Sequence, residues 1–402
     1  MGDFLLDWLN MLIRWGHIVV GIAWIGTSFY FVGLDYSLRK KAEHSDELMG
    51  DSWLVHGGGF YHVQKYKVAP SNLPEHLIWY KWDAYLTWIT GFALLVVQYY
   101  VYADTYLVDP AKADMTGTVA VLISLASLAG GWVVYDAVCK LTQDRGQLVT
   151  AILVFALICF AAWGFSQIYS GRGALIHVGA FVGTIMAANV FGVIIPNQKL
   201  IVAALLADKA PDAKLGVIGK QRSLHNNYLT LPVLLMMVSN HYPLLYSHPQ
   251  TWIVVAMIIV VGACIRHMIN RHEAGDEFRQ FAWALPSAAV ALLVALVLTT
   301  PRALLPTSSA AAELPPVTNT AAFTIVKTHC ASCHAPLPGL EEFFAAPQGV
   351  RLASIDDMIR NRRGIYAQSV ISQAMPMGNA SGMTPDERTA LGSWVAQQDR
   401  NQ

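Results

Sequence analysis

The chain is 402 residues long, 54% hydrophobic and only 13% charged, with a mean hydropathy of +0.41, which excludes an ordinary soluble enzyme. Its 27 basic and 27 acidic residues cancel, so no global field argues for a nucleic-acid partner or for general attraction to anionic lipid. The apolar character is confined to the part before Thr300, after which hydropathy collapses.

In chain order, eight stretches are long enough for helices of about 20 residues that cross a hydrocarbon core of roughly 30 Å. They are predicted at 11–33, 84–101, 116–138, 148–168, 174–195, 227–246, 251–269 and 281–300. The opening "MGDFLLDWLN" carries two aspartates and no basic region, so the first helix reads as retained rather than as a signal peptide. Within it His17, Gly21, Trp24 and Ser28 share one face, and the glycine leaves room for a flat macrocycle or a neighbouring helix. The long join 34–83 contains "HGGGFYHVQKY" with His56 and His62, and a join of that length carries function or structure of its own.

The joins after helices one, three, five and seven hold most of the lysine and arginine. The positive-inside rule therefore puts both termini outside the cytoplasm. That sorts the polar groups into layers. His17, His177 and His241 lie in the outer layer, where two of them could ligate a b-type haem or simply bridge helices. Asn189 lies about three turns deeper than His177. Arg222, His225, Asn226 and Asn227, with Asn197 and Gln198, form the densest collection of guanidinium, imidazole and amide groups, on the inner side. Such a set suits a planar anionic ligand with a lactam edge, and equally it caps helices and faces head groups. Arg222 would stabilise the anion and His225 take a proton. Pro232 removes a backbone bond to Tyr228 and invites a kink and a polar pocket. Cys139, Cys159 and Cys264 are isolated and read as small core residues.

Residues 301–320 are rich in Pro, Ala, Ser and Thr and read as a linker. The tail after them is small for a core of its own unless a covalent haem supplies the apolar centre. Its "CASCH" gives Cys330 and Cys333 as thioether donors to haem c and His334 as the proximal iron ligand; a zinc knuckle or a disulfide is the plainer alternative. The sixth ligand belongs before the last helix, in "AMPMGNASGMT". Met375 is preferred, Met377 is the alternative, and Met383 is expected to pack at the helix entry. Thr384 and Glu387 form a capping box with Pro385 at the first helical position, and Leu391, Trp394 and Val395 share a face. A haem held by His and Met carries electrons singly, so the chemistry must lie elsewhere.

The predicted fold is all-α: a polytopic eight-helix transmembrane bundle (1–300), a linker (301–320) and a small class I cytochrome c domain (321–402). "RWGHIVVGIAWIGTSFYF", "HVGAFVGTIMAANVFGVIIPNQ" and "QRSLHNNYLTLPVLLMMVSNHYP", followed by the "CASCH" module, resemble the bacterial membrane-bound cytochrome c urate oxidase family along essentially the whole chain. The resemblance implies oxidation of urate to 5-hydroxyisourate without hydrogen peroxide. It also implies electrons leaving through the c haem to a respiratory terminal oxidase or soluble cytochrome, and an inner-membrane location with the tail in the periplasm. Two rivals predict different behaviour: a quinol-to-cytochrome relay is indifferent to purines, and a transporter with a redox sensor moves substrate without haem reduction.

Overall fold

The computed structural model describes residues 2–68, 73–74, 76–110, 112–246, 250–300, 316–339 and 346–400. Most of the expected linker, 301–315, lies outside the described residues, as do 340–345 and 401–402 of the tail. The membrane part runs α1 (Gly2–Ser37), β1 (Leu48–His56), β2 (Gly59–Tyr66), α2 (Trp82–Leu95) with a π-helical turn Val96–Tyr100, and α3 (Ala103–Tyr106). It continues through α4 (Gly117–Leu141), α5 (Gln147–Ile168), α6 (Gly171–Ala188), a π-helical turn Asn189–Ile194, α7 (Ile195–Leu206) and α8 (Ala213–Val238). A 3-10 turn Ser239–His241 leads to α9 (Pro243–Tyr246), α10 (Thr251–Glu273), α11 (Phe278–Phe281) and α12 (Ala284–Thr299).

All eight predicted stretches are helical, but among the described residues six helices are long and apolar enough to cross a membrane: Phe4–Ser37, Gly117–Leu141, Gln147–Ile168, Gly171–Leu206, Thr251–Glu273 and Phe278–Thr299. The count of eight is corrected for two physical reasons. α2 has 14 α-helical residues before its π turn, and α8 begins with Lys214, Lys220, Arg222 and the His225–Asn227 run before it becomes apolar. The chain is mostly helical, as expected, with one exception. The join 34–83 contains the antiparallel hairpin β1–β2, in which Gly57 and Gly58, at φ +59° and +79°, make the two-residue turn that needs left-handed backbone at both positions. His62 is structural there: it stacks on Trp53, centroids 4.4 Å apart, and reaches Asp51 Oδ2 at 2.7 Å.

α6 is the centre of the bundle, buried along most of its length, and small residues let neighbours close on it. A side chain at Gly131 of α4 would overlap the Phe181 ring, and Met236 and Met237 of α8 lie against Gly179. Pro232 of α8 is received by Gly262 of α10, whose position would put a Cβ 2.6 Å from the proline ring, so packing takes the place of the expected polar pocket. Pro196 lacks an N–H and its ring crowds the carbonyl four residues back, which accounts for the wider turn Asn189–Ile194 just before it.

One face of the bundle gathers the segments after α2, α5 and α9. Val108 bridges Tyr169, Ser170 N donates to the Leu107 carbonyl at 2.9 Å, and Gly171 packs on the Tyr246 carbonyl. Elsewhere the ends of α1 and α10 meet, and the start of α7 meets the start of α8. There Arg39 pairs with Asp51 and lies against Gly275, and Asn197 Nδ2 donates to the Leu215 carbonyl at 3.2 Å.

The tail has α13 (Asn319–His329), α14 (Ala331–His334), a 3-10 turn Pro347–Gly349, α15 (Ile355–Ile365) with a π turn Tyr366–Ile371, a 3-10 turn Met377–Asn379 and α16 (Pro385–Arg400). Ala322 and Val326, Met358 and Ile365, and Leu391, Trp394 and Val395 close one core from three helices. The capping box is present: Thr384 N donates to Glu387 Oε2 at 2.8 Å and Glu387 N to Thr384 Oγ1 at 3.3 Å. Glu387 also meets His329 Nε2 at 3.1 Å, and the Thr384 amide together with His329 holds its carboxyl below the usual glutamate range.

Candidate functional site

In the tail, one helical turn carries the whole "CASCH" motif: Cys333 N and His334 N both donate to the Cys330 carbonyl, at 3.2 and 2.8 Å. His334 Nδ1 lies 2.8 Å from the Val350 carbonyl, which can only accept, so Nδ1 carries the proton and Nε2 keeps its lone pair. Neither thiol is in a disulfide; Cys330 is buried and Cys333 half-buried. Two thiols and a metal-ready imidazole on one turn fit a covalent haem.

The methionine loop is held from behind by Arg388, which donates to the Ser369 carbonyl, the Met375 carbonyl at 2.8 Å and Asn379 Oδ1 at 3.1 Å. The three methionines part company. Met383 is buried in the tail core, and Met377 turns its sulfur to Arg172 Nη1, 3.6 Å away on the membrane part. Met375 is half-buried between Gln368, whose carbonyl accepts from its amide at 3.0 Å, and Arg388.

The Arg222–Asn227 run is split by the helix it sits on. Arg222 is buried and pairs with Asp136 Oδ1 at 2.7 Å, its guanidinium 5.0 Å over the Tyr135 ring. His225 Nδ1 meets the Tyr135 hydroxyl at 2.7 Å. Asn189 Nδ2 donates to that hydroxyl and to Asn226 Oδ1, both at 3.0 Å, and Asn226 Nδ2 donates to the Met186 carbonyl at 2.9 Å. Asn227 faces the other way, donating to Asn270 Oδ1 at 3.4 Å and accepting from Arg266 Nε. Tyr135, Asp136, Arg266 and Asn270 were missed by sequence reasoning. Their signal was available, since a charged residue inside an apolar helix is costly and needs a partner. The Arg222 guanidinium that could hold an anion already holds a carboxylate, Asp136, which Lys140 Nζ also meets at 2.7 Å.

The outer histidines are each held by different partners. His177 is fully buried, with Nδ1 2.7 Å from the Gly173 carbonyl and Nε2 2.8 Å from Ser124 Oγ, so as placed it does not fit an axial haem ligand. His17 Nδ1 reaches Thr90 Oγ1 at 3.0 Å, and Gly91 rather than Gly21 makes the room for its ring. His241 is exposed in its 3-10 turn.

The tail docks by its methionine loop onto the face that carries Leu107 and Ser170. Gly378, at φ +56°, lies so close to the Val108 carbonyl that a Cβ there would sit 2.8 Å from the oxygen. Beside this contact is a cavity of about 400 Å³ between Thr105–Lys112, Ser170–Arg172 and Tyr246 on one wall and Ser372–Asn379 with Arg388 on the other. Nothing in the sequence pointed to it, because its walls come from four short connections without periodicity.

A family model described as urate oxidase N-terminal matches residues 3–300. No curated protein and no solved structure matches the chain.

Proposed function

The chain belongs to the urate oxidase N-terminal family, and from that premise we propose that residues 1–300 oxidise urate to 5-hydroxyisourate while a c-type haem on residues 321–402 takes the electrons out. The urate monoanion and one water give neutral 5-hydroxyisourate, one proton and two electrons. The haem, when bound, supplies one-electron transfer. Cys330 and Cys333 would hold it covalently, His334 would ligate the iron through Nε2, and Met375 would be the sixth ligand. The electrons then pass singly to a respiratory terminal oxidase or a soluble cytochrome, and no hydrogen peroxide is made at the site. The location that goes with this is a bacterial inner membrane, with six apolar helices in the bilayer and the tail on the periplasmic side.

The observation that carries the reading is the docking. The loop that would bear the sixth ligand is pressed onto the membrane part through Gly378 and Met377, which supports an electron exit at that face. A membrane haem is not part of the proposal: His177 has both ring nitrogens engaged, His17 is held by Thr90 and His241 is exposed. The test is anaerobic addition of urate to purified protein while the c-haem absorption band is followed. Reduction of two haems per urate is expected, and none with hypoxanthine. A haem that quinol reduces and urate does not would replace this reading with an electron relay.

A further inference from the structure

The cavity between the tail's methionine loop and the membrane part has the chemistry of a purine-anion site. Its volume, about 400 Å³, falls in the roughly 300–1,000 Å³ range of small-molecule pockets. Among the described residues three cations line it, Lys112, Arg172 and Arg388, against one carboxylate, that of Asp109. Lys112 Nζ donates to the Tyr169 carbonyl at 2.8 Å, and its amide to the Asp109 carbonyl at 3.0 Å. Arg388 is turned to the neutral oxygens of its own loop.

Arg172 differs from these. It reaches two weak acceptors, the Tyr246 hydroxyl at 3.4 Å and the Met377 thioether at 3.6 Å, and is half-buried over the Tyr246 ring with its centroid 5.7 Å away. A planar guanidinium so placed can present two parallel N–H groups to a pair of acceptors on a flat ligand. Arg172 also belongs to the first turn of α6, an 18-residue helix with no acidic residue in that turn, so the helix dipole adds to its charge. Tyr106 and Tyr246 give the cavity aromatic walls, and Gln373 brings an amide to its rim.

We propose that this cavity binds the urate monoanion, with Arg172 as its principal anion-binding residue and Lys112 as a secondary one. The assignment rests on the urate-oxidising reading above and goes beyond it by choosing the place. Urate then enters from the face on which the tail docks. It lies against the loop that carries the proposed sixth ligand, since cavity-lining Met377 is two residues from Met375. The alternative at Arg222 meets the π-helical turn after α6 at Asn189, 17 residues beyond Arg172, or roughly 25 Å along the helix axis. Neither a long electron path nor an intermediate carrier is needed when substrate and exit share a wall.

The test uses the full-length holoenzyme with its haem pre-reduced by dithionite, so that urate can bind and cannot be oxidised, and measures labelled urate by equilibrium dialysis. Arg172→Gln should weaken binding by about tenfold or more, the loss of one charge-assisted hydrogen bond. Arg172→Lys should recover part of it, and Lys112→Met should cost about threefold. Haem content and reduction by dithionite report folding and should not change. If Arg172→Gln loses haem, Arg172→Lys and Lys112→Met decide. Unaltered affinity in the Arg172 and Lys112 variants would overturn the site, as would loss of binding in Arg222→Gln alone. Wild-type protein that binds urate but is never reduced by it would overturn the oxidase reading and leave the site standing. Wild-type protein that binds no urate would overturn both.

Discussion

Arg172 and Arg222 both touch the helix 171–206, one at its start and one 17 residues further along, and they are solvated in opposite ways. Arg222 is buried, locked to Asp136 and stacked on Tyr135, beside Tyr135, Asn189 and Asn226, which are bonded to one another. Arg172 is half-buried at the edge of a cavity, with a phenol and a thioether for company. A buried charge that is already paired holds helices together. A charge with weak partners beside an open volume can do work on a ligand. Density of polar residues ranks Arg222 first as an anion site, whereas the state of pairing, on which our proposal rests, ranks Arg172 first.

The largest effect should come from removing the electron exit proposed on the Arg172 side. Cys330→Ala with Cys333→Ala is expected to abolish covalent haem and urate-dependent acceptor reduction while the membrane part still inserts. Haem staining and oxygen uptake measure this, and persisting uptake would reveal a second exit. Next, Asp136→Ala leaves Arg222 buried without its carboxylate. A broken buried pair costs about 3–5 kcal/mol, so the detergent-solubilised protein should lose thermal stability sharply. Replacing both partners, Arg222→Met with Asp136→Leu, should restore most of it. If the double replacement is stable yet binds no urate, the two regions exchange roles.

A smaller change tests the loop between cavity and haem. Met375→Ala should lower the haem potential and let imidazole bind the iron, whereas Met377→Ala should do neither; the reverse pattern moves the sixth ligand by two residues. The smallest concerns the tail alone. Because Glu387 titrates below its usual value of 4.5, it stabilises the fold fully above that pH, and the contribution is lost as pH falls through its lowered value. Glu387→Gln should cost at most about 1 kcal/mol, since the carboxylate is a third exposed, and should flatten the acid limb of a Soret-monitored melt.

What could be read from the sequence was what local chemistry dictates. The Thr384–Glu387 cap, the apolar stretches and the spacing from Cys330 to His334 each lie within a few turns of chain, and the structure carries all three. The triple glycine was noticed, but its hairpin was not, because exposed Trp53, Val55 and Phe60 give no one-sided alternation to betray a strand. The network around Arg222 was half-visible. Its α8 residues are contiguous, while Tyr135 and Asp136 sit in an apolar run where hydropathy averaging erases them. The cavity was invisible for a different reason: Lys112, Arg172, Tyr246 and Gln373 meet only once two separate parts of the chain dock.

The wide turn Asn189–Ile194 gives the helix 171–206 a change of phase. Each residue of an α-helix advances the side chains by about 100°, so deleting one residue from that turn would swing everything after it, including Asn197, nearly a third of a revolution relative to Arg172. Hydropathy would be unaltered and the segment would still look like a span. Yet Asn189 and Asn197 could no longer face their partners on α4 and α8 together. The helix behaves as a shaft with a keyway, in which angular position matters as much as length, and Pro196 cuts the key.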